Sequence, residues 1–243
     1  MSFEALLSGR EIDHDYYFRP TLQYFAAGRN ELLKKICLNQ RVVHVGFADH
    51  LDLIPKRRQE GTWLHDIISG SSKQLIGLDV NEKAVNFLTA KGVANLYCCD
   101  VFGNEVEAIA KQYPADVILL PDVIEHLPDP VAFIHRLGVV FANARLVVSV
   151  PNYLSYRSLL GAATSGAERI NTDHRCWFSP YTLTKNVWLG GFHVTRLHAA
   201  PLGAARSWKG DIAALALKLR PMFSECLIAE ALPRYANSDE NIA

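Results

Sequence analysis

From Arg41 onward, short apolar runs alternate with stretches whose apolar residues recur at helical spacing. The runs at Arg41 to Gly46, Gln74 to Asp79, Ala94 to Cys99, Ala115 to Leu120 and Arg145 to Val150 have the length and near-continuous apolar character of strands buried on both faces. Between them, helical spacing predicts helices over about Gly61 to Ile68, Glu82 to Lys91, Asn104 to Gln112 and Val131 to Phe141. Asn81 has the side chain of a helix cap. Glu82 then places a carboxylate on the first-turn amides, and Ala84, Val85 and Leu88 form one apolar face. Strands alternating with helices give an α/β fold with a mostly parallel sheet. Two later runs, Phe192 to His198 and about Cys226 to Leu232, complete seven strands, the last of them antiparallel beside its predecessor.

The flanks carry different patterns. Arg19 to Leu38 reads as one amphipathic helix over the sheet edge or the pocket mouth, so residues 1–40 form a helical segment covering the pocket and residues 41–235 the main domain. Pro151 to Arg175 reads as a polar loop, with a helix starting near Ser179. Asp211 to Leu219 reads as a helix stopped by Pro221, and residues 236–243 as a frayed tail. At 243 residues, one large domain fits better than two.

Composition removes some functions. Lys plus Arg equals Asp plus Glu at 25 each, so no overall positive field advertises a nucleic-acid partner. The five cysteines lack CxxC spacing and read as free thiols of a reducing cytoplasm. No stretch approaches the roughly 18 apolar residues of a membrane span, and the N-terminus lacks a signal-peptide run. The reading is a cytoplasmic protein, with a homodimer left open.

The chemistry gathers at strand ends. The first strand breaks at Gly46, where glycine lets backbone amides approach a ligand, although a plain turn after a strand would look the same. Asp79 ends the second strand and can accept two ribose hydroxyls; its plainer role is a helix-capping or solvated loop acid. Asp100 ends the third, where an acid can meet an adenine amino group. Ligands of open parallel sheets bind outside these carboxyl edges, so acids on successive strand ends reinforce one another.

With DVILLPDVIEHLPDP and HRCWFSPYTLTKNVWLGGF added, the chain resembles the class I S-adenosylmethionine-dependent methyltransferases, especially the ubiquinone-biosynthesis O-methyltransferase type, over roughly Val42 to His198. The resemblance implies a Rossmann-like sheet with helices on both faces. It also implies S-adenosyl-L-methionine as cofactor, held around His44, Gly46, Phe47, Ala48, Asp79, Val80, Asp100, Val101, Pro121 and Asp122. Within that pattern Gly46 faces the methionine moiety, Asp79 the ribose and Asp100 the adenine. The chain departs from it where His44 replaces an acid, and where Ala48 and His50 replace glycines. A similar GxADH turn followed by a WLH-like helix, here Trp63, Leu64 and His65, is found in relatives from polysaccharide and secondary-metabolite clusters.

On the acceptor side, Asp122, Glu125 and His126 are spaced i, i+3, i+4. If the segment winds into a helix, all three share one face and suit a divalent metal such as Mg. The resembling quinone and small-RNA 2′-O-methyltransferases bind a metal with a comparable E-x-x-E-H pattern. His126 is the candidate general base, and His174, in the long connection after the fifth strand, a second base or fourth ligand. The plainer reading has Glu125 and His126 capping backbone amides. Tyr16, Tyr17, Phe18 and Tyr24 read as helix packing, with Trp177 and Phe178 anchoring the following helix in the core. The leading expectation is O-methylation of a small-molecule or glycan hydroxyl. RNA 2′-O-methylation and a catalytically inactive binding subunit are the alternatives.

Overall fold

The structure is a computed structural model that describes residues 2–48, 51–203 and 215–234. Asp49 and His50, the first half of the expected Asp211 to Leu219 helix and the expected tail at 236–243 lie outside the described residues; residues 215–219 are helical.

Five strands form where the apolar runs predict them: β2 (Arg41–Val45), β3 (Gln74–Asp79), β4 (Leu96–Cys98), β5 (Val117–Pro121) and β6 (Arg145–Pro151). Their period of two sorts the core. Val43, Val45, Ile76, Leu78, Ile118 and Leu120 fall in one buried cluster. The alternating Val42, Leu75, Val117 and Leu119 fall in another, with helix α2 (Arg29–Cys37) and α4 (Leu64–Ser69) packed on it. Helices on both faces explain why these strands carry so few polar residues.

Two further strands, β7 (Phe192–Ala200) and β8 (Cys226–Pro233), close the far side, with β8 inserted antiparallel between β6 and β7. An eighth strand joins them: β1 (Leu22–Tyr24) pairs in parallel with β7, giving the order β1-β7-β8-β6-β5-β2-β3-β4. The stretch Arg19 to Leu38 is therefore a short strand followed by α2, not one helix. Gly28, at φ 96 before α2, makes the break, and the free edge of β7 supplies the hydrogen bonds that keep Leu22–Tyr24 extended.

The other helices are α1 (Phe3–Ser8), α3 (Ile54–Gln59), α5 (Glu82–Ala90), α6 (Glu105–Gln112), α7 (Pro130–Val140), α8 (Tyr156–Ser165) and α9 (Pro180–Leu189). Asn81 caps α5 by accepting from the Ala84 amide at 3.1 Å, and Ala84, Val85 and Leu88 are the residues it buries. The expected loop after β6 instead contains α8, capped by Ser155 and ended by Gly166 in the left-handed region at φ 62. Because α8 buries none of its residues, burial periodicity gives no sign of it. In the N-terminal segment Phe18 stacks on Phe3 and packs edge-on against Tyr181 of α9, whereas Tyr16 and Tyr17 are exposed and Tyr24 lies on β1 and not on a helix. No helix among the described residues is long and apolar enough to cross a membrane.

Strand order reverses between β2 and β5, the place where an open parallel sheet leaves a crevice at its carboxyl edge. The residues after β2, β3, β4 and β5 all open onto that edge.

Candidate cofactor and acceptor site

The turn after β2 is built on glycine for two reasons. Gly46 has φ +71, and a Cβ there would lie 2.4 Å from Val123 Cγ2, so the segment after β5 rests directly on the turn. Its amide donates to Leu78 O at 2.8 Å, fixing the bend to β3. Asp79 closes the arrangement: one carboxylate oxygen accepts from the Ala48 amide at 3.0 Å and the other from the Asn81 amide at 2.9 Å. Each oxygen keeps a lone pair for a further donor, and the side chain is only partly buried. Asp100 is exposed at the end of β4, oriented by a hydrogen bond from the Phe102 amide at 2.9 Å. Exposed Val80 and Phe102 supply apolar surface beside these two acids. Val101, expected to line the site, turns its side chain into the core, and its place at the surface is taken by Phe102.

His44 lies under the turn. It is buried with His65 of α4, their Nδ1 atoms 3.2 Å apart, so one Nδ1 donates and the other accepts. Burial drives the His44 pKa well below the ordinary imidazole value, and drives that of His65 down to about 3. Phe47 and Trp63 pack against His65 with ring centroids 5.0 and 5.2 Å away. The two segments GFA and WLH thus form one apolar support, and His44 props the turn from below.

Pro121 ends β5 in the core, and Asp122 follows it at φ +51. That conformation, uncommon outside glycine, throws the carboxylate toward α2, where Arg29 pairs with it. The expected single helical face is not formed: Ile124–His126 is a short 3₁₀ turn, and Asp122 precedes it in a different conformation. Asp122, Glu125 and His126 therefore do not come together as one metal-binding set.

The structure assembles a different trio. Glu125, His126 and His174 offer ligand atoms that all lie within 4.8 Å of one another. Glu125 is 1% exposed, and neither of its carboxylate oxygens has a hydrogen-bond partner. Burial raises its pKa to about 7, opposed first by its own backbone amide and then by Arg29. His174 Nδ1 is also buried and unpartnered; burial and the neighbouring His126 lower its pKa and favour the neutral, metal-binding form. His126 Nδ1 meets Asp173 Oδ2 at 3.0 Å, which fixes the ring. The backbone brings His174 in: the Arg175 and Cys176 amides donate to Glu125 O at 2.7 and 3.1 Å. Orphaned buried oxygens and an orphaned imidazole nitrogen are what a cation-binding set requires.

Sequence reasoning passed over Arg29. It sits on a helix whose pattern speaks only of packing, and nothing in its neighbourhood signals a partner 93 positions away. Trp177 was expected in the core; it is half-buried and faces Tyr153 and His174. Two cavities lie away from the strand ends just described. One, about 500 Å³, is at the amino ends of β3 and β4 beside Ser72 and Asn95. The other, about 380 Å³, lies between α2 and β7.

Known proteins place this geometry in a family. A family model for a methyltransferase domain matches residues 18–197. No curated protein sequence matches the chain. Among solved structures it is similar in fold to the small RNA methyltransferase HEN1, at 17% identity and TM-score 0.57, over 93% of this chain and 27% of that one. It is also similar to a SAM-dependent methyltransferase from Thermotoga maritima, at 12% identity and TM-score 0.52, covering 84% of this chain and 87% of that one. A third, from Mesorhizobium loti, has 12% identity and TM-score 0.50, with 84% and 98% covered. With the glycine turn, the strand-end acids and the inserted antiparallel strand inside or beside the matched span, the chain belongs to the class I S-adenosylmethionine-dependent methyltransferases.

Proposed function

We propose that this methyltransferase transfers its methyl group to a hydroxyl oxygen of a small molecule or sugar unit, and that Glu125, His126 and His174 receive that hydroxyl. S-adenosylmethionine supplies an electrophilic methyl group. Asp79 accepts from the ribose hydroxyls through its free lone pairs, Asp100 from the adenine amino group, and Val80 and Phe102 flank the base. Gly46 keeps the turn free of side chain where the methionine moiety passes. Orientation does most of the work, since in-line displacement, in which the O–C bond forms as the C–S bond breaks and a neutral thioether leaves, needs the acceptor oxygen held behind the methyl carbon. The hydroxyl proton passes to the acid–imidazole group of Glu125, His126 and His174.

The observation that carries the acceptor assignment is the buried, unpartnered carboxyl of Glu125 beside two imidazoles. Such a group is costly to maintain without a partner, and a divalent cation or a bound hydroxyl supplies one. A bound cation acidifies a hydroxyl coordinated to it. Two imidazoles and one carboxylate suit a transition-metal ion such as Mn²⁺ better than Mg²⁺, which prefers oxygen ligands. Asp173 holds His126 in register, and the Arg175 and Cys176 amides hold the loop on Glu125. The balanced charge supports a small acceptor over RNA, and the five free cysteines agree with a reducing compartment.

The test pairs Glu125→Gln with direct binding. Calorimetry should show S-adenosylmethionine binding to both proteins with affinities within about threefold, because Glu125 lies outside the cofactor contacts. Mn²⁺ binding should be lost in the variant, and methyl transfer to hydroxyl acceptors should fall about a hundredfold or more. Retained transfer in Glu125→Gln would overturn the acceptor assignment. Absence of cofactor binding at millimolar concentration would favour an inactive subunit.

A further inference from the structure

Tyr153 and Trp177 lie side by side at the edge of the Glu125, His126 and His174 group, and neither is needed where it stands to fill the core. Tyr153 leaves β6 immediately after buried Asn152, whose amide donates to Met222 O at 2.7 Å and Ser224 O at 2.8 Å. Asn152 also bridges to Phe178, and the Tyr153 amide donates to Phe178 O at 2.9 Å, so the chain holds residue 153 next to residue 177. The rings meet with centroids 5.5 Å apart and planes at 49°, a notch rather than a closed stack. Tyr153 is 45% exposed. The indole Nε1 donates to exposed Glu168 Oε1 at 2.9 Å. Trp177 also meets His174 with centroids 6.0 Å apart and planes at 83°, and His174 meets His126 at 4.7 Å.

We propose that Tyr153 and Trp177 form the platform that receives the acceptor, and that the acceptor is a ring with an apolar face and hydroxyls on its edge. An exposed aromatic notch costs apolar hydration unless a flat partner covers it. The same segment carries Glu168, which accepts from the indole, and Asn171, Asp173 and Arg175, groups that hydrogen-bond the edge of a ring and not its face. Trp177 touches His174, whose ligand nitrogen lies within 4.8 Å of the Glu125 carboxylate, so a ring held beside Trp177 can bring an edge hydroxyl to the trio. Aromatic diols and pyranosides share this shape. The proposal rests on the hydroxyl-acceptor reading above and adds what selects the acceptor.

The experiment uses the full chain with a catechol and a methyl pyranoside as ring probes and an acyclic diol as control. In Trp177→Ala the KM for whichever ring is methylated should rise about tenfold, with kcat within about threefold, and the KM for the acyclic diol should not change. Trp177→Phe should recover much of the ring affinity. Calorimetric affinity for S-adenosylmethionine should be the same in all three proteins. Ring binding is also read without turnover, as quenching of tryptophan fluorescence present in the wild type and missing from Trp177→Phe. Catechol or pyranoside giving this quenching supports the platform and says which ring it takes, even if no oxygen is methylated, in which case only the hydroxyl-acceptor reading falls. Transfer to a ring acceptor with no Trp177-dependent quenching, or an equal rise in KM for ring and acyclic acceptors, overturns the platform alone. If neither ring quenches Trp177 the proposal is overturned as well.

Discussion

Replacing Gly46 with alanine tests the contact that joins the cofactor turn to the acceptor segment. Two penalties add. At φ +71 an alanine pays about 1 kcal/mol for the left-handed conformation. Its Cβ would sit 2.4 Å from Val123 Cγ2, where carbon contacts need about 3.5 Å or more, so one segment must move by about an ångström. Overpacking of that kind costs about 1 to 3 kcal/mol, which puts the total near 2 to 4 kcal/mol. Urea unfolding of the wild type, Gly46→Ala, Val123→Ala and the double variant separates the parts. Val123→Ala alone should lose about 1 kcal/mol for its missing methyls. In the Gly46→Ala background it should cost nothing or stabilise, giving a coupling of about 1 to 2 kcal/mol. S-adenosylmethionine affinity should fall in Gly46→Ala and recover partly in the double variant. Equal unfolding midpoints for wild type and Gly46→Ala, or a Val123→Ala effect independent of residue 46, would refute the stated contact.

Glu230 is buried among His198 at 2.8 Å, Arg145 at 3.0 Å and Arg196 at 3.6 Å, and the His198 hydrogen bond is the main cause of its lowered pKa. Glu230→Gln should destabilise by about 1 to 3 kcal/mol, because it removes the charge of a nearly buried carboxylate paired with Arg145 and hydrogen-bonded to His198, while calorimetric cofactor affinity stays unchanged; a thermal melt equal to wild type would contradict this. Asp116, bonded to the side chain and amide of Arg41, has its pKa pulled from 3.8 to about 2. A depressed folded-state value gives stability that is complete above the unfolded pKa and vanishes as pH falls through the folded one. At 34% side-chain exposure that contribution is discounted to about 1 kcal/mol, with about half gone by pH 3. The difference in urea midpoint between wild type and Asp116→Asn should therefore shrink from pH 5.5 to pH 3, and a constant difference would exclude the pair as its source.

The sequence by itself determined seven of the sheet's eight strands. Periods of two and of 3.6 record which face of each element is buried, and burial is a property of each residue in turn. The strand-end acids Asp79 and Asp100 were legible for the same reason, since a residue at the end of an apolar run sits at the sheet's carboxyl edge wherever the rest of the chain goes. The elements that escaped are those whose burial pattern is weak: β1, which is held by the edge of β7, and α8, which buries nothing.

Only the tertiary structure decided which side chains share the site. Asp122 matches the spacing of Glu125 and His126, yet a left-handed backbone conformation sends it to Arg29, and His174 arrives in its place through two amides on the Glu125 carbonyl. His44 and His65 meet across the first crossover, and Trp177 reaches Tyr153 through a single bridge between distant segments. Each of these depends on one backbone dihedral or on a contact between residues far apart in the chain, and neither leaves a periodic trace in local composition.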